Sequence, residues 1–394
     1  MCAVKAAKWD WMQAELDRLQ EEHLVRQLVA TKLQVGGWLE RDGRRMLNLA
    51  SNDYLGLASE SGIRIEPSDV QYPCGAGASR LVAGNDPIYT QLEQEFAAFK
   101  GTECCLLFSS GYMANLGIIP ALVGRHDYVF SDRLNHASIV DGIQLSRAEH
   151  VRYRHRDLNQ LEHQLKKAPA NSRKLIVTDT IFSMDGTIAP LQDLVTLKDR
   201  YGAMLMVDEA HSGGVYGSEG QGIVHAMGLQ DQVEVQMGTF SKAYGAVGAY
   251  VAGDAVLIQY LINRARTLIY NTALPPILIY AIRENWLRSQ REAWRRQALQ
   301  SRAQQFRSVL QAAGFDMGDS ESQIVPLMIG DNVQAIVYSR ALQAEGIAAV
   351  AIRPPTVPQG SARIRFTIMA THQEHELNWA AQRMIAIGQQ MRLI

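Results

Sequence analysis

The 394-residue chain contains only four cysteines, Cys2, Cys74, Cys104 and Cys105, with no Cys-x-x-Cys pair among them. That scarcity argues against a zinc site and a disulfide framework and fits a reducing, cytoplasmic setting; no metal is expected. Neither sign of charge is in excess, since 39 Lys and Arg against 40 Asp and Glu leave a formal net charge of −1. Without a global basic field, nucleic acid is not an expected partner, and a phosphate-bearing ligand has to be recognised locally. Long apolar runs are missing too. The one uncharged stretch, Cys104 to Gly124, is interrupted by Ser109, Ser110, Gly111, Asn115 and Pro120 and reads as a buried strand, a turn and a buried helix, so no membrane association is expected. The first thirty residues carry charges throughout and no apolar core before a cleavage site, which argues against a secretory leader. No repeat, low-complexity tract or block of like charge is visible.

What remains is an ordinary globular composition, 47% hydrophobic and 20% charged with 31 glycines, at a length that suits a large domain and a smaller one around a cleft. Residues 1–45 read as a helical arm: Trp11, Leu16, Leu19, Leu24 and Leu28 lie at helical spacing and predict one amphipathic helix from about Trp9 to Leu33. Over residues 46–285 the short runs CCLLF, HDYVFSD, HVRYRH, KLIVTDT, AMLMVDEA, VEVQMGT and GAYVAG alternate with helical stretches. Seven short, nearly continuous apolar strands separated by helices predict an α/β domain with a mostly parallel seven-stranded sheet covered on both faces. Residues 286–394 begin with an Arg-, Gln- and Ala-rich helix to Gly314. Strand candidates follow near Gln323 to Ile329, Ile347 to Ile352 and Ala362 to Ile368, then a helix from His375, which together predict a smaller α/β domain.

Ligands of open parallel sheets sit beyond the carboxyl ends of the strands, so the residues after each strand carry the chemistry. After AMLMV come Asp208, Glu209, Ala210 and His211. A carboxylate there can pair with a protonated ring nitrogen while the imidazole bonds a neighbouring oxygen; an acidic helix cap is the plainer reading of the same residues. After VEVQM come Thr239, Phe240, Ser241 and Lys242. A lysine among hydroxyls and small residues past a buried strand would be partly desolvated, lowering its pKa and suiting it to Schiff-base formation, although for a lone lysine a surface turn is by far the plainer reading. After CCLLF, the turn Ser109-Ser110-Gly111-Tyr112 opens a helix whose free N–H groups face an anion. After HDYVF, the segment SDRLNHAS puts His136 where it can lie on the face of a bound ring or serve as a hydrogen-bonded structural histidine.

The four segments in this order resemble the fold-type-I pyridoxal-phosphate (PLP) enzymes. More narrowly, SNDYLGL (Ser51 to Leu57), SSGYMAN, DRLNHASI, IFSMDGTIAPL (Ile181 to Leu191), VDEAHSGGVYG and TFSKAYG are similar to the α-oxoamine synthases, over a stretch from about Asn48 to the C-terminus. The resemblance implies a PLP-dependent transferase that joins an amino acid to an acyl thioester with loss of CO2. It assigns Lys242 the covalent link to the cofactor and the removal of the Cα proton, Asp208 the pyridine nitrogen, His211 with Ser183 the phenolic oxygen, and His136 stacking on the ring. Gly111, Tyr112 and Thr239 would serve the phosphate or the face beside it. Arg365 would take the amino-acid carboxylate, with Asn52 and Arg353 as further candidates, and Arg26 and Thr356 would serve the acyl substrate. Within the family, the stretch Ala349 to Pro358 with RIRFT (Arg363 to Thr367) and MATH (Met369 to His372) is most like the branch that uses L-alanine with pimeloyl-CoA or a pimeloyl carrier protein. The glycine and acetyl-CoA branch and a non-catalytic subunit of the same fold are the alternatives. Relatives form homodimers with shared sites, so Gly75 to Asn85 and Thr272 are candidates to reach the partner's site. One departure stands out: where the family has a helix of several turns after SNDYLGL, only Ala58 to Cys74 remain, with Pro67 and Pro73 inside.

Overall fold

The computed structural model describes residues 8–60 and 72–394. Its centre is a sheet of seven strands: β4 (Cys104–Phe108), β5 (Tyr128–Asp132), β6 (Glu149–Tyr153), β7 (Lys174–Asp179), β8 (Met204–Asp208), β9 (Val235–Thr239) and β10 (Ala249–Gly253). They lie in the spatial order β4-β10-β9-β8-β7-β5-β6. The run from β9 to β6 is parallel, and β10 alone is antiparallel, to both β4 and β9. All seven correspond to the apolar runs of the sequence. Burial explains why they needed no alternation: β7, KLIVTD, is buried at every position, as a strand covered by helices on both faces must be.

The covering helices carry their own start and stop signals. Asp86 caps the helix Pro87–Lys100 by accepting from the Ile88 N–H, Pro87 occupies its first turn, and Gly101 ends it in the left-handed region at φ 69°. Ser110 caps Gly111–Leu122, which leaves the first N–H groups of that helix pointing past the end of β4.

Two further sheets lie outside the large one. Strands β11 (Ile324–Gly330), β13 (Ala351–Ile352) and β14 (Ala362–Thr367) form an antiparallel sheet in the order β11-β14-β13. Strands β1 (Thr31–Gln34), β2 (Trp38–Arg41) and β3 (Arg44–Asn48) form an antiparallel meander whose last strand takes β12 (Ile347–Ala348) in parallel. The amino-terminal helix is shorter than its hydrophobic spacing predicts. It spans Asp10–Glu21 with no buried residue. His23 turns left-handed (φ 56°), the Leu24 N–H closes back on the Leu19 carbonyl, Leu28 is wholly exposed, and β1 begins at Thr31. Of the segment Ala58 to Cys74, the helix Leu57–Glu60 covers the start and most of the remainder lies outside the described residues.

His372 ties the first meander to the end of the chain. Its buried ring bonds the Asn48 carbonyl at 3.1 Å and receives the Met369 N–H, while Gly37 packs so closely on it that a Cβ there would lie 2.3 Å from the ring. Burial holds its pKa down at about 4. The unfolded chain therefore binds a proton that the folded one refuses between pH 6.5 and 4, and stability falls as pH drops through that window, by up to about 3 kcal/mol. Thermal midpoints across this range are expected to fall more steeply for the wild type than for His372→Gln. Parallel pH profiles would remove the assignment.

Candidate active site

Five strand ends of the large sheet, those of β4, β5, β7, β8 and β9, converge on one cleft. At the end of β8, Asp208 is buried. One oxygen accepts from the Ala210 N–H at 2.9 Å and the other from Asn115 Nδ2 at 3.0 Å. Asn115 also donates to Ser138 Oγ at 2.9 Å, and that hydroxyl meets His136 Nδ1 at 2.8 Å. A hydrogen-bonded chain thus runs from Asp208 to His136. Among the described residues, no Lys, Arg or His forms an ion pair with Asp208, an unusual state for a buried carboxylate. Asp179, at the end of β7, accepts the His136 N–H at 2.8 Å, and burial beside Asp208 pushes its pKa far up.

Three residues past β8, His211 bonds Tyr54 Oη at 2.6 Å through Nδ1 and Lys242 Nζ at 3.0 Å through Nε2. Burial, then the Lys242 and Arg365 charges, keep this imidazole neutral, well below its ordinary pKa. With Nε2 accepting from a protonated Lys242, Nδ1 carries the proton and donates to Tyr54. Lys242 follows β9, and burial lowers its pKa to about 8 although Asp208 and Asp179 pull it upward. Beside it, Thr239 Oγ1 lies 2.8 Å from Ser241 Oγ, and a Cβ on Gly111 would lie 3.8 Å from Thr239. The opening turn of the helix Gly111–Leu122 and the two hydroxyls therefore share one edge of the cleft. Tyr112 there is half exposed, bonds Asp141 through its hydroxyl and sets its ring edge-on to His136.

Across the cleft, the buried Arg365 of β14 donates to the Ser183 carbonyl, to Asn52 Oδ1 at 3.0 Å and to Tyr54 Oη at 3.5 Å. Among the described residues it makes no ion pair, so its planar fork has no carboxylate of the chain's own to hold. Arg353 lies elsewhere. It donates to the His23 carbonyl, with Nε buried and unbonded, in a cavity of about 580 Å3 shared with Arg26 and Thr356. Arg26 reaches Thr356 Oγ1 at 3.5 Å. A neighbouring cavity of about 550 Å3 is lined by His136, Ser183 and again Thr356. Thr272 stands apart from these groups, its backbone bridged to Ser79 of the glycine-rich segment.

Sequence reasoning did not assign roles to Tyr54, Asn115, Ser138 or Asp179. The first three lie inside motifs already singled out (SNDYLGL, SSGYMAN and NHAS), so the available signal was their company.

A model of the aminotransferase class I and II family matches residues 44–384. A curated relative from Halalkalibacterium halodurans, named provisionally as 8-amino-7-oxononanoate synthase, is 52% identical over 387 residues, covering 96% of this chain and 98% of that protein. One of the same provisional name from Bacillus cereus (strain Q1) is 50% identical, covering 97% and 98%. Among solved structures, serine palmitoyltransferase from S. paucimobilis with a bound PLP–myriocin adduct superposes with TM-score 0.90 at 30% identity, covering 98% of this chain and 99% of that one. An 8-amino-7-oxononanoate synthase from Francisella tularensis matches with TM-score 0.76 at 29% identity, over 88% and 99%. PLP is the cofactor of this fold, and the cleft fits it on its own terms: a buried carboxylate that forms no ion pair among the described residues, a desolvated lysine, and a helix N-terminus beside two hydroxyls.

Proposed function

Because the chain belongs to the class I and II aminotransferase family, and within it to the α-oxoamine synthases, we propose that it condenses L-alanine with a pimeloyl thioester. The products are 8-amino-7-oxononanoate, CO2 and the free thiol of coenzyme A or a carrier protein, a step of biotin formation. The observation that carries the chemistry is Lys242, desolvated and 3.0 Å from His211, in the cleft that holds the buried Asp208, which forms no ion pair among the described residues. Pyridoxal phosphate, when bound, supplies an electron-poor ring that takes up the electron pair left at the amino-acid Cα.

Asp208, oriented by Asn115, would hold the proton on the ring nitrogen. His211 and Ser183 would serve the phenolic oxygen, His136 would stack on the ring, and Gly111, Tyr112 and Thr239 would serve the phosphate. Lys242 would hold the cofactor, and its free amine, lowered in pKa by burial, would take the Cα proton. Arg365 fixes the substrate carboxylate with help from Asn52. The bond formed joins Cα to the thioester carbonyl carbon, the carbon–sulfur bond breaks, and the thiol leaves with a proton. Loss of CO2, with a proton returned to Cα in its place, then leaves the amino ketone. Arg26, Arg353 and Thr356, reached from the His136 cavity, suit an acyl chain ending in an anion, which favours pimeloyl over acetyl. The reading includes a homodimer in the cytoplasm. Leu81 and Val82, 52% and 80% exposed, lie on the glycine-rich segment bridged to Thr272 and offer apolar surface to a second copy that would complete the site.

The test is an absorbance titration of the PLP-loaded protein with L-alanine and with glycine, followed by pimeloyl-CoA or acetyl-CoA. The expected result is a spectral response to L-alanine and release of thiol with pimeloyl-CoA. A response to glycine with thiol release from acetyl-CoA alone would move the assignment to the sister reaction, and no response at all would make the chain a non-catalytic subunit. In the same assay Arg365→Ala should raise the L-alanine KM about 10- to 100-fold, the worth of a charge-assisted pair, while PLP content is kept. Equal loss of both would remove its assignment.

A further inference from the structure

We propose that Arg133 and Arg152 form a phosphate subsite for the phosphopantetheine arm that carries the acyl group, an inference that rests on the acyl-transfer reading above. The two arginines stand at the carboxyl end of the neighbouring parallel strands β5 and β6. The Arg133 N–H bonds the Tyr153 carbonyl at 3.0 Å, and Arg152 Nη2 donates to the Arg133 carbonyl at 3.0 Å. Both side chains are exposed and both line the cavity that contains His136 and Ser183.

Their neighbours are paired: Arg154 with Asp157, Arg156 with Glu321, and Arg363 of the same cavity wall with Asp185. Among the described residues, Arg133 and Arg152 have no such partner. The remaining carboxylate of that wall, Asp141, is taken up by the Tyr112 hydroxyl. In a chain of net charge −1, this is a local excess of positive charge beside the reacting centre.

Direction follows from the cavities. They meet at Thr356, and the one beyond it holds Arg26 and Arg353. A thioester whose carbonyl lies near His136 sends its acyl chain toward Thr356 and Arg26, which leaves its thiol arm the Arg133 and Arg152 side. The first anion along that arm is the phosphate of phosphopantetheine, common to coenzyme A and to carrier proteins, and guanidinium is the fork that fits it.

The experiment compares the wild type with Arg133→Ala/Arg152→Ala, PLP-loaded, on pimeloyl-CoA, on a pimeloyl carrier protein, and on the phosphate-free N-acetylcysteamine thioester of pimelate. The double variant is expected to lose 10- to 100-fold in kcat/KM with both phosphate-bearing substrates, to change less than about twofold with the truncated thioester, and to keep its spectral response to L-alanine. Equal loss with the truncated thioester overturns the proposal. Loss with pimeloyl-CoA alone overturns the shared-phosphate assignment and moves the contact to the nucleotide. Free coenzyme A is titrated in parallel. If the wild type binds it and the variant binds it at least 10-fold more weakly, the subsite stands even where no pimeloyl thioester is turned over, an outcome that would overturn only the acyl assignment.

Discussion

Replacing Lys242 with alanine is expected to lower turnover at least about 1,000-fold while leaving the fold and its thermal midpoint nearly intact. A positioned base contributes about 100- to 10,000-fold, and under the proposed reading this lysine would also hold the cofactor covalently, so the two losses fall on one residue. Its environment is tuned for the role. At an ordinary lysine pKa of 10.5 fewer than about one amine in a thousand is free of its proton at pH 7, whereas at about 8 the free fraction is about a tenth. Burial supplies the shift, and His211 Nε2 at 3.0 Å gives the remaining proton a neutral partner that does not oppose its departure as a carboxylate would. The direct check is borohydride treatment followed by mass spectrometry, with PLP fixed to the wild-type chain and absent from the variant, alongside single-turnover rates. A loss smaller than tenfold would mean that another group in the cleft removes the Cα proton.

The largest expected effect on stability lies just behind the cleft. Lys100 and Glu209 are both wholly buried and form an ion pair between the end of the helix Pro87–Lys100 and the residue that follows Asp208. Glu209 also accepts from Ser212 Oγ at 3.2 Å and the Val224 N–H at 3.1 Å, and Gly222 is required beside it because a Cβ there would lie 2.2 Å from the carboxylate. Lys100→Ala leaves that carboxylate buried without its cation. Breaking one half of such a pair costs about 3–5 kcal/mol, because the remaining charge keeps its desolvation penalty and loses its compensation. Lys100→Met combined with Glu209→Gln removes both charges, keeps an acceptor for Ser212 and Val224, and is expected to recover most of the loss. Denaturation of the three proteins with and without PLP measures this directly. A single variant within 1 kcal/mol of the wild type would show that water reaches the pair.

The seven large-sheet strands could be read in advance because each is short, apolar throughout and punctuated by residues that start or stop a helix. Lys242, Asp208, His211 and His136 could be picked out for a related reason: they follow strands, and position along a parallel sheet says which residues share its edge. What local pattern does not carry is contact across the chain. Tyr54 meets His211 from 157 residues away, and Arg365 meets Asn52 across 313. No periodicity distinguishes Tyr54 from any buried tyrosine. The amino-terminal helix stops short of its spacing for the opposite reason: leucines at helical spacing continue past Glu21, but a left-handed His23 and the strand beginning at Thr31 win over spacing alone.

The parallel pairing of β3 with β12 also sets an order of events during synthesis. Leu47 faces Ile347, so the meander that presents Leu39, Met46 and Leu47 leaves the ribosome roughly 300 residues before the strand that covers its edge. At ordinary elongation rates that is a wait of roughly 15 to 60 s. For that interval the nascent amino terminus carries an unpaired strand edge and apolar side chains with nothing to pack on, the kind of surface that chaperones hold and that neighbouring chains on a polysome join by mistake.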